Sequence, residues 1–354
     1  MDHTRTESDY YIGCMLGAAV GNAMGNCCRQ EKALTHFTAP LHFDGLMQLA
    51  LFTGEGLLRA THRAKMHGSN GTFAELLYES YQRWLRIQSV SYNDLVEIPE
   101  NDGWLVRRSE MYYRGLPLIH TLKALKENKP GEIGHPSTDY ADYEGMLRVI
   151  PVGLMFPGDE QVAFMVGAEA CVLTHGTPDA YLSAGVYASL ISRLADGDTL
   201  SAAVERSLEI LSGHADSDRV RTAITDALYF LDDLKEMEEK DLPDAIDRFL
   251  MNLNASEAAP DLLTVGLLGA MLYPDDYKKA VLFGVRYKSA PHAAGMLAGS
   301  LCGLIKGENA LLEEWLINLK HKDIVIQVAE DLLTGIKGGI FIVDREWVNK
   351  YPGW

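Results

Sequence analysis

Cysteine is scarce in this chain, with 5 among 354 residues. Two of them, Cys27 and Cys28, are adjacent, and neither a CxxC pair nor a zinc-type Cys/His spacing occurs. A disulfide framework is therefore excluded as the organising principle, and a reducing, cytoplasmic setting is the simplest expectation. Positive charge is also short: 32 Lys and Arg stand against 49 Asp and Glu, for a net charge of −17. That balance argues against broad binding of a nucleic-acid backbone, which needs cationic side chains to displace counterions. The longest apolar runs, such as residues 11–25, fall short of the roughly 20 residues that span a bilayer. The N-terminus is polar and lacks the basic-then-apolar order of a secretory leader. No membrane partner is expected.

What is abundant is apolar side chain in helical register, 47% of the sequence being hydrophobic. Thr72 and Glu75 form a capping box ahead of Leu76, Leu77, Tyr81 and Trp84. Thr177 followed by Pro178 reads as an N-cap with proline in the first turn, opening a helix over 181–194. Asp198 is expected to cap a helix that runs to Leu211. In residues 216–234, Val220, Ile224, Leu228 and Leu231 share one face. Asp275 and Asp276 start a helix over 277–285, and the pattern continues through 293–305, 311–319 and 324–333. Two-residue alternation is nearly absent; residues 339–343 are the one plausible short strand, and residues 347–354 read as a tail that docks by its aromatics. The fold class is all-α, a compact orthogonal helical bundle, with a single domain over 1–335 and a C-terminal tail over 336–354.

Glycine is placed with unusual regularity. Gly13, Gly17, Gly21 and Gly25 recur every fourth residue, as do Gly295, Gly299 and Gly303. Each costs a helix interior about 0.5–1 kcal/mol relative to alanine, so a compensating gain is required. Residues four apart share a face, and a face without side chains admits another backbone. Two central helices, from opposite ends of the chain, are expected to meet along these stripes. Between them, residues 97–103 and 127–144 read as excursions, the longer one being the better candidate for function.

Several segments, in order, resemble the ADP-ribosylglycohydrolase family, which includes the dinitrogenase reductase-activating glycohydrolases. GCMLGAAVGNAMG at 13–25 is similar to the family's opening GxLGxAxGDAxG helix. FDGL at 43–46 stands where the family has TDDT. LRVIPVG at 147–153 resembles MRVxPxG, and THGTP at 174–178 resembles THGxP. RYKS at 286–289, running into AGMLAG at 294–299, resembles DTDT followed by AGxxAG. The resemblance covers about residues 10–333. It implies an orthogonal all-α fold with two Mg²⁺ or Mn²⁺ ions held by aspartates and threonines of the first and last motifs. It also implies cleavage of the bond between ADP-ribose and an acceptor side chain.

The ligand positions depart from that pattern. The first motif keeps Asp44 but has Phe43, Gly45 and Leu46 around it, and Asn22 stands for a first-helix aspartate. In the last motif the aspartate positions hold Arg286 and Lys288, leaving Ser289 as an oxygen donor. Hard dications take oxygen ligands with carboxylates preferred, so two cations in their place repel them. The two-metal site is expected to be lost, with no metal ligands and no cofactor, Mg²⁺ or Mn²⁺ entering only if the family site persists. Arg286 or Lys288 is expected to pair with Asp44 and tie the two glycine helices together; the alternative is a solvated charge pair at a helix start, worth under about 1 kcal/mol.

The loop before Arg148 has changed too. Tyr140, Asp142, Tyr143 and Glu144 add bulk and negative charge where a pyrophosphate belongs. Arg148 reads as a ligand residue or as half of a structural ion pair under the loop. His175 reads as a general base or, more simply, as a turn residue bonded to nearby backbone. His42 and His292 flank the altered motifs without a third ligand near in sequence. The candidate ligand-binding set is Asp44, Arg148, His175, Gly176, Arg286, Lys288 and Ser289, with Asp44 and Glu144 as candidate catalytic carboxylates. The expected function is a non-catalytic binding protein, such as an immunity protein that occludes an ADP-ribosyltransferase toxin, with an ADP-ribose-like molecule as a possible ligand. The alternatives are an active hydrolase removing ADP-ribose from protein or nucleic acid, and a metal-independent N-glycoside hydrolase.

Overall fold

The computed structural model describes residues 7–30, 40–68, 72–89, 91, 102–253, 256–338 and 344–353. Helices account for nearly all regular structure, and no strand forms among the described residues. The first half comprises α1 (Glu7–Gln30), α2 (Gly45–His67), α3 (Phe73–Ser89), α4 (Ile119–Lys126), α5 (Ile150–Met155), α6 (Glu160–Val172), α7 (Pro178–Ala195) and α8 (Leu200–Ser212). The second comprises α9 (Asp218–Glu236), α10 (Leu242–Leu253), α11 (Ala259–Leu272), α12 (Tyr277–Val285), α13 (Pro291–Lys306), α14 (Glu313–Asn318), α15 (Lys322–Ile336) and α16 (Arg345–Lys350). The short strand expected at 339–343 lies outside the described residues, as do most of the excursion at 97–103 and Trp354.

At the centre, α1 and α13 run antiparallel along their glycine stripes. A Cβ added at Gly21 would stand 1.9 Å from the Gly295 carbonyl oxygen, and one at Gly17 2.2 Å from that of Gly299. The contact is backbone on backbone, so nothing larger than hydrogen fits. Dispersion and burial gained over the whole seam offset the helix-propensity cost of the glycines. Around this pair, α7, α11, α12 and α15 form the surrounding layer, with α2 packed outside α15 and α5, and α3 against α2 and α6.

Local signals act as the residues dictate. Thr72 and Glu75 exchange the reciprocal bonds of a capping box, Glu75 N–H to Thr72 Oγ1 at 3.2 Å and Thr72 N–H to Glu75 Oε2 at 3.0 Å. Thr177 caps α7 by accepting from Ala180 N–H. Asp276 caps α12 by accepting from Lys279 N–H at 3.0 Å. One expectation is corrected: Thr199, not Asp198, caps α8, because Asp198 is engaged with Arg193 at 2.5 Å. A hydroxyl one residue closer to the first turn reaches the Ala202 N–H in its place.

The tail docks through α16. Trp347 is largely covered and Tyr351 fully buried, its hydroxyl donating to Asp331 at 2.5 Å and its carbonyl meeting His62 Nδ1 at 2.6 Å. All five cysteines are free, and burial pushes the Cys171 and Cys302 thiols up to about 12, far from a reactive thiolate. No helix among the described residues is long and apolar enough to cross a membrane.

Candidate functional site

Two groups of polar side chains are folded into the interior near the start of α2 and beneath the 127–144 excursion. The first centres on Asp44, the N-cap of α2 and fully buried. Its Oδ1 accepts from Leu46 N–H (2.9 Å) and from Asn22 Nδ2 (2.9 Å), while its own N–H donates to Asn22 Oδ1 (2.8 Å). The other oxygen, Oδ2, has no hydrogen-bond partner and lies 3.9 Å from His292 Nε2, at the start of α13. Asp44 therefore does bridge α1, α2 and α13, but through an amide and an imidazole.

The expected ion pair with Arg286 is not made. Arg286 is exposed and pairs with Asp247 on α10. The physical reason is the turn between α12 and α13. There Tyr287 is the buried residue, its hydroxyl donating to the carbonyls of Leu253 and Ser256, and its neighbours Arg286 and Lys288 fall outward. Ser289 is half-buried in the same turn. Two further groups close the space over Asp44. Gly115 sits so near that a Cβ would stand 2.7 Å from the Asp44 Cβ, and the Tyr143 ring meets the His292 ring edge-on at 5.9 Å. His42 faces elsewhere, stacked on Tyr113 at 4.5 Å and 6.0 Å from His321.

The second group is built on the excursion, which is ordered and stitched to the turn after α6. Thr138 Oγ1 donates to the Thr174 carbonyl (2.8 Å), Thr177 Oγ1 donates to the Tyr140 carbonyl (3.1 Å), and Ala259 N–H donates to the Ala141 carbonyl (3.0 Å). Gly176 is required here: a Cβ would collide with the Thr138 carbonyl oxygen at 2.1 Å. Arg148 is fully buried, and no carboxylate partners it among the described residues, contrary to the ion-pair expectation. Its guanidinium donates to the Ala170 (2.6 Å) and Cys171 (3.3 Å) carbonyls at the end of α6, where a cation offsets the helix dipole, and lies 4.2 Å over the Tyr81 ring.

From Arg148 a hydrogen-bonded chain leads outward. Arg148 Nη2 donates to Thr174 Oγ1 (2.7 Å), Thr174 Oγ1 lies 2.8 Å from His175 Nδ1, and His175 Nε2 lies 3.0 Å from Asp142 Oδ1. A carboxylate only accepts, so the proton sits on His175 Nε2, and Nδ1 accepts from the threonine. His175 thus bonds side chains and not the backbone expected of it. Asp142 Oδ1 also accepts from Glu144 N–H (2.9 Å), and Asp142 Oδ2 meets His120 Nδ1 at 2.6 Å. Glu144 in turn accepts from Thr121 N–H at 2.8 Å in the first turn of α4.

The two carboxyls are driven apart. Burial pushes Asp142 up, but the hydrogen bond and electrostatic attraction from His175, the Glu144 N–H and His120 outweigh it, and its pKa falls to about 2. Burial first, and the Asp142 charge second, push Glu144 above the ordinary carboxylate range. Of the candidate residues, Arg148, His175, Gly176 and Glu144 are brought together; Asp44 lies apart with His292, and Arg286, Lys288 and Ser289 are on the α12–α13 turn. Sequence reasoning missed His120 and the ligating potential of Asp142. The Asp-Tyr-Glu alternation was a visible signal, but nothing near His120 in sequence marks it.

A family model described as ADP-ribosylglycohydrolase matches residues 3–339. No curated protein matches significantly. A solved structure titled "ADP-ribosylglycohydrolase-related protein complex" is similar in fold, with a TM-score of 0.58 and 18% identity over 93% of this chain and 99% of that one.

Proposed function

The chain belongs to the ADP-ribosylglycohydrolase family, and from that premise we propose that it is a binding protein whose two-metal hydrolase site has been filled by its own side chains. The observation that carries this reading is the state of Asp44. It is the carboxylate retained from the first motif, and Asn22, Leu46 and His292 already surround it. Two hard dications do not fit there. Each takes about six oxygen ligands, and Mg²⁺ usually keeps several waters. Asp44 offers one oxygen without a hydrogen bond and no solvent-exposed surface. The aspartate positions of the last motif hold cations, one of them committed to Asp247.

The partner class we propose is a basic protein, in particular an ADP-ribosyltransferase whose active site is occluded. The net charge of −17 supports it, since complementary charge speeds encounter and fixes orientation. The test incubates the chain with an arginine-ADP-ribosylated protein and Mg²⁺, and separately with an active transferase. No release of ADP-ribose, with stoichiometric and salt-sensitive inhibition of the transferase, is expected. Mg²⁺-dependent release that Asp44→Asn abolishes would refute the reading.

A second reading, metal-independent hydrolysis of an N-glycoside, is favoured by one observation: Glu144 and Asp142 are adjacent carboxyls pushed in opposite directions, as an acid and its partner must be. It requires chelator-resistant hydrolysis that Glu144→Gln removes.

A further inference from the structure

We propose that His120, Asp142 and Glu144 form a binding site for a borderline transition-metal ion, Zn²⁺ being the natural occupant, distinct from the family's ion positions around Asp44. Each residue contributes a ligand atom, and these atoms all lie within 4.8 Å of one another. Donors on one ion at bond lengths of about 2.0–2.2 Å stand at most about 4.4 Å apart, so small side-chain movements bring these three into ligating positions. The donor chemistry selects the ion. One imidazole nitrogen with two carboxylate oxygens suits Zn²⁺ and its neighbours, whereas Mg²⁺ and Ca²⁺ favour all-oxygen sets. Two carboxylates also balance the charge of a dication.

Three features argue that the site is built and not an accident of acidic residues. Asp142 is oriented from behind by fully buried His175, as carboxylate ligands are held in metal sites, and His175 is itself fixed by Thr174 and Arg148. Glu144 is positioned by the Thr121 N–H, and the Thr121 hydroxyl beside it is fully buried without a hydrogen-bond partner. A buried polar atom left unmatched beside converging ligands calls for a further polar group. His120 is the exposed member, its side chain 43% accessible and stacked on Tyr140 at 4.3 Å, so the site opens to solvent on that side. An ion entering there takes the place of the hydrogen bond between His120 Nδ1 and Asp142 Oδ2, the imidazole carrying its proton on Nε2. It would staple the start of α4 to the 127–144 excursion and hold that loop closed over the end of α6.

The experiment uses the full chain, stripped by chelator and titrated with Zn²⁺ by calorimetry and metal analysis, with Co²⁺ as a spectroscopic substitute. The wild type and Asp44→Asn are expected to bind a single ion, gain several degrees in melting midpoint, and show a Co²⁺ visible band. His120→Ala is expected to lose affinity at least ~10-fold and to lose the band. Its half-exposed ring leaves the core intact, which circular dichroism checks. Glu144→Gln should behave alike. Retention of tight binding by His120→Ala, or no binding at millimolar Zn²⁺, overturns the site. Loss of binding in Asp44→Asn alone would overturn it too and move the ion to the family position, a result separable from the ADP-ribose release assay.

Discussion

Asp44 and Asp142 are both carboxylates drawn out of water, and their surroundings differ in kind. Asp44 lies at the end of the glycine seam, where α1 and α13 touch backbone to backbone, and its partners are a side-chain amide, an N–H of its own helix and a neighbouring imidazole. Asp142 lies on a stitched loop, between two imidazoles and next to a second carboxyl, with one histidine open to solvent. At the first place the polar groups bond one another at the junction of α1, α2 and α13, away from solvent. At the second they converge and keep a face outward. The difference teaches that a site is recognised by converging donor atoms and access and not by the presence of charge.

The comparison can be broken at its rigid side first. Gly21→Ala puts a methyl into the Gly295 carbonyl, where only backbone can yield, and should cost more than about 3 kcal/mol in denaturant unfolding. A loss under about 1 kcal/mol would show the seam to be compliant. Asn22→Ala comes next: it strips two bonds from buried Asp44, with an expected loss of about 2–3 kcal/mol. At the loop, Asp142→Asn should cost about 1–3 kcal/mol because His175, fully buried, loses a charged acceptor.

The same loop residue gives a pH signature. The folded pKa of Asp142 lies below its ordinary 3.8, at about 2. Its stabilisation is therefore complete above pH ~4 and is lost as pH falls toward ~2. Acid unfolding of the wild type should show that limb and Asp142→Asn should lack it; identical acid profiles would contradict the assignment. The smallest effect is expected for His120→Ala in metal-free buffer, about 1 kcal/mol or less, since the His120 side chain is itself 43% exposed and Asp142 keeps its bonds to His175 and the Glu144 N–H. A larger loss would mean that the loop depends on this contact even without an ion.

Much of the fold was legible. The glycine stripes announced the central pair, because four-residue spacing and missing side chains have one structural use. The Thr72 and Thr177 caps were readable because a cap is settled within four residues. Asp198 was misread for want of its partner Arg193, five residues back on the preceding helix. The site was less legible. Arg286 was expected at Asp44, but Tyr287 takes the interior at that turn and sends its neighbours outward. His120 gave no sign of itself, since its partners lie 22 and 24 residues away across an irregular loop.

By itself, then, the sequence determined the helical class, the meeting of the two glycine helices and the membership in the ADP-ribosylglycohydrolase family. These follow from periodicity, capping and residue type, which act over a few neighbours. Only the tertiary structure decided what became of the charges: that Asp44 is enclosed by an amide, an N–H and an imidazole, that Arg148 closes the end of α6, and that His120, Asp142 and Glu144 come together. Such pairings depend on which surfaces pack against one another, and a charge takes its partner from whatever the packing brings within 3 or 4 Å of it.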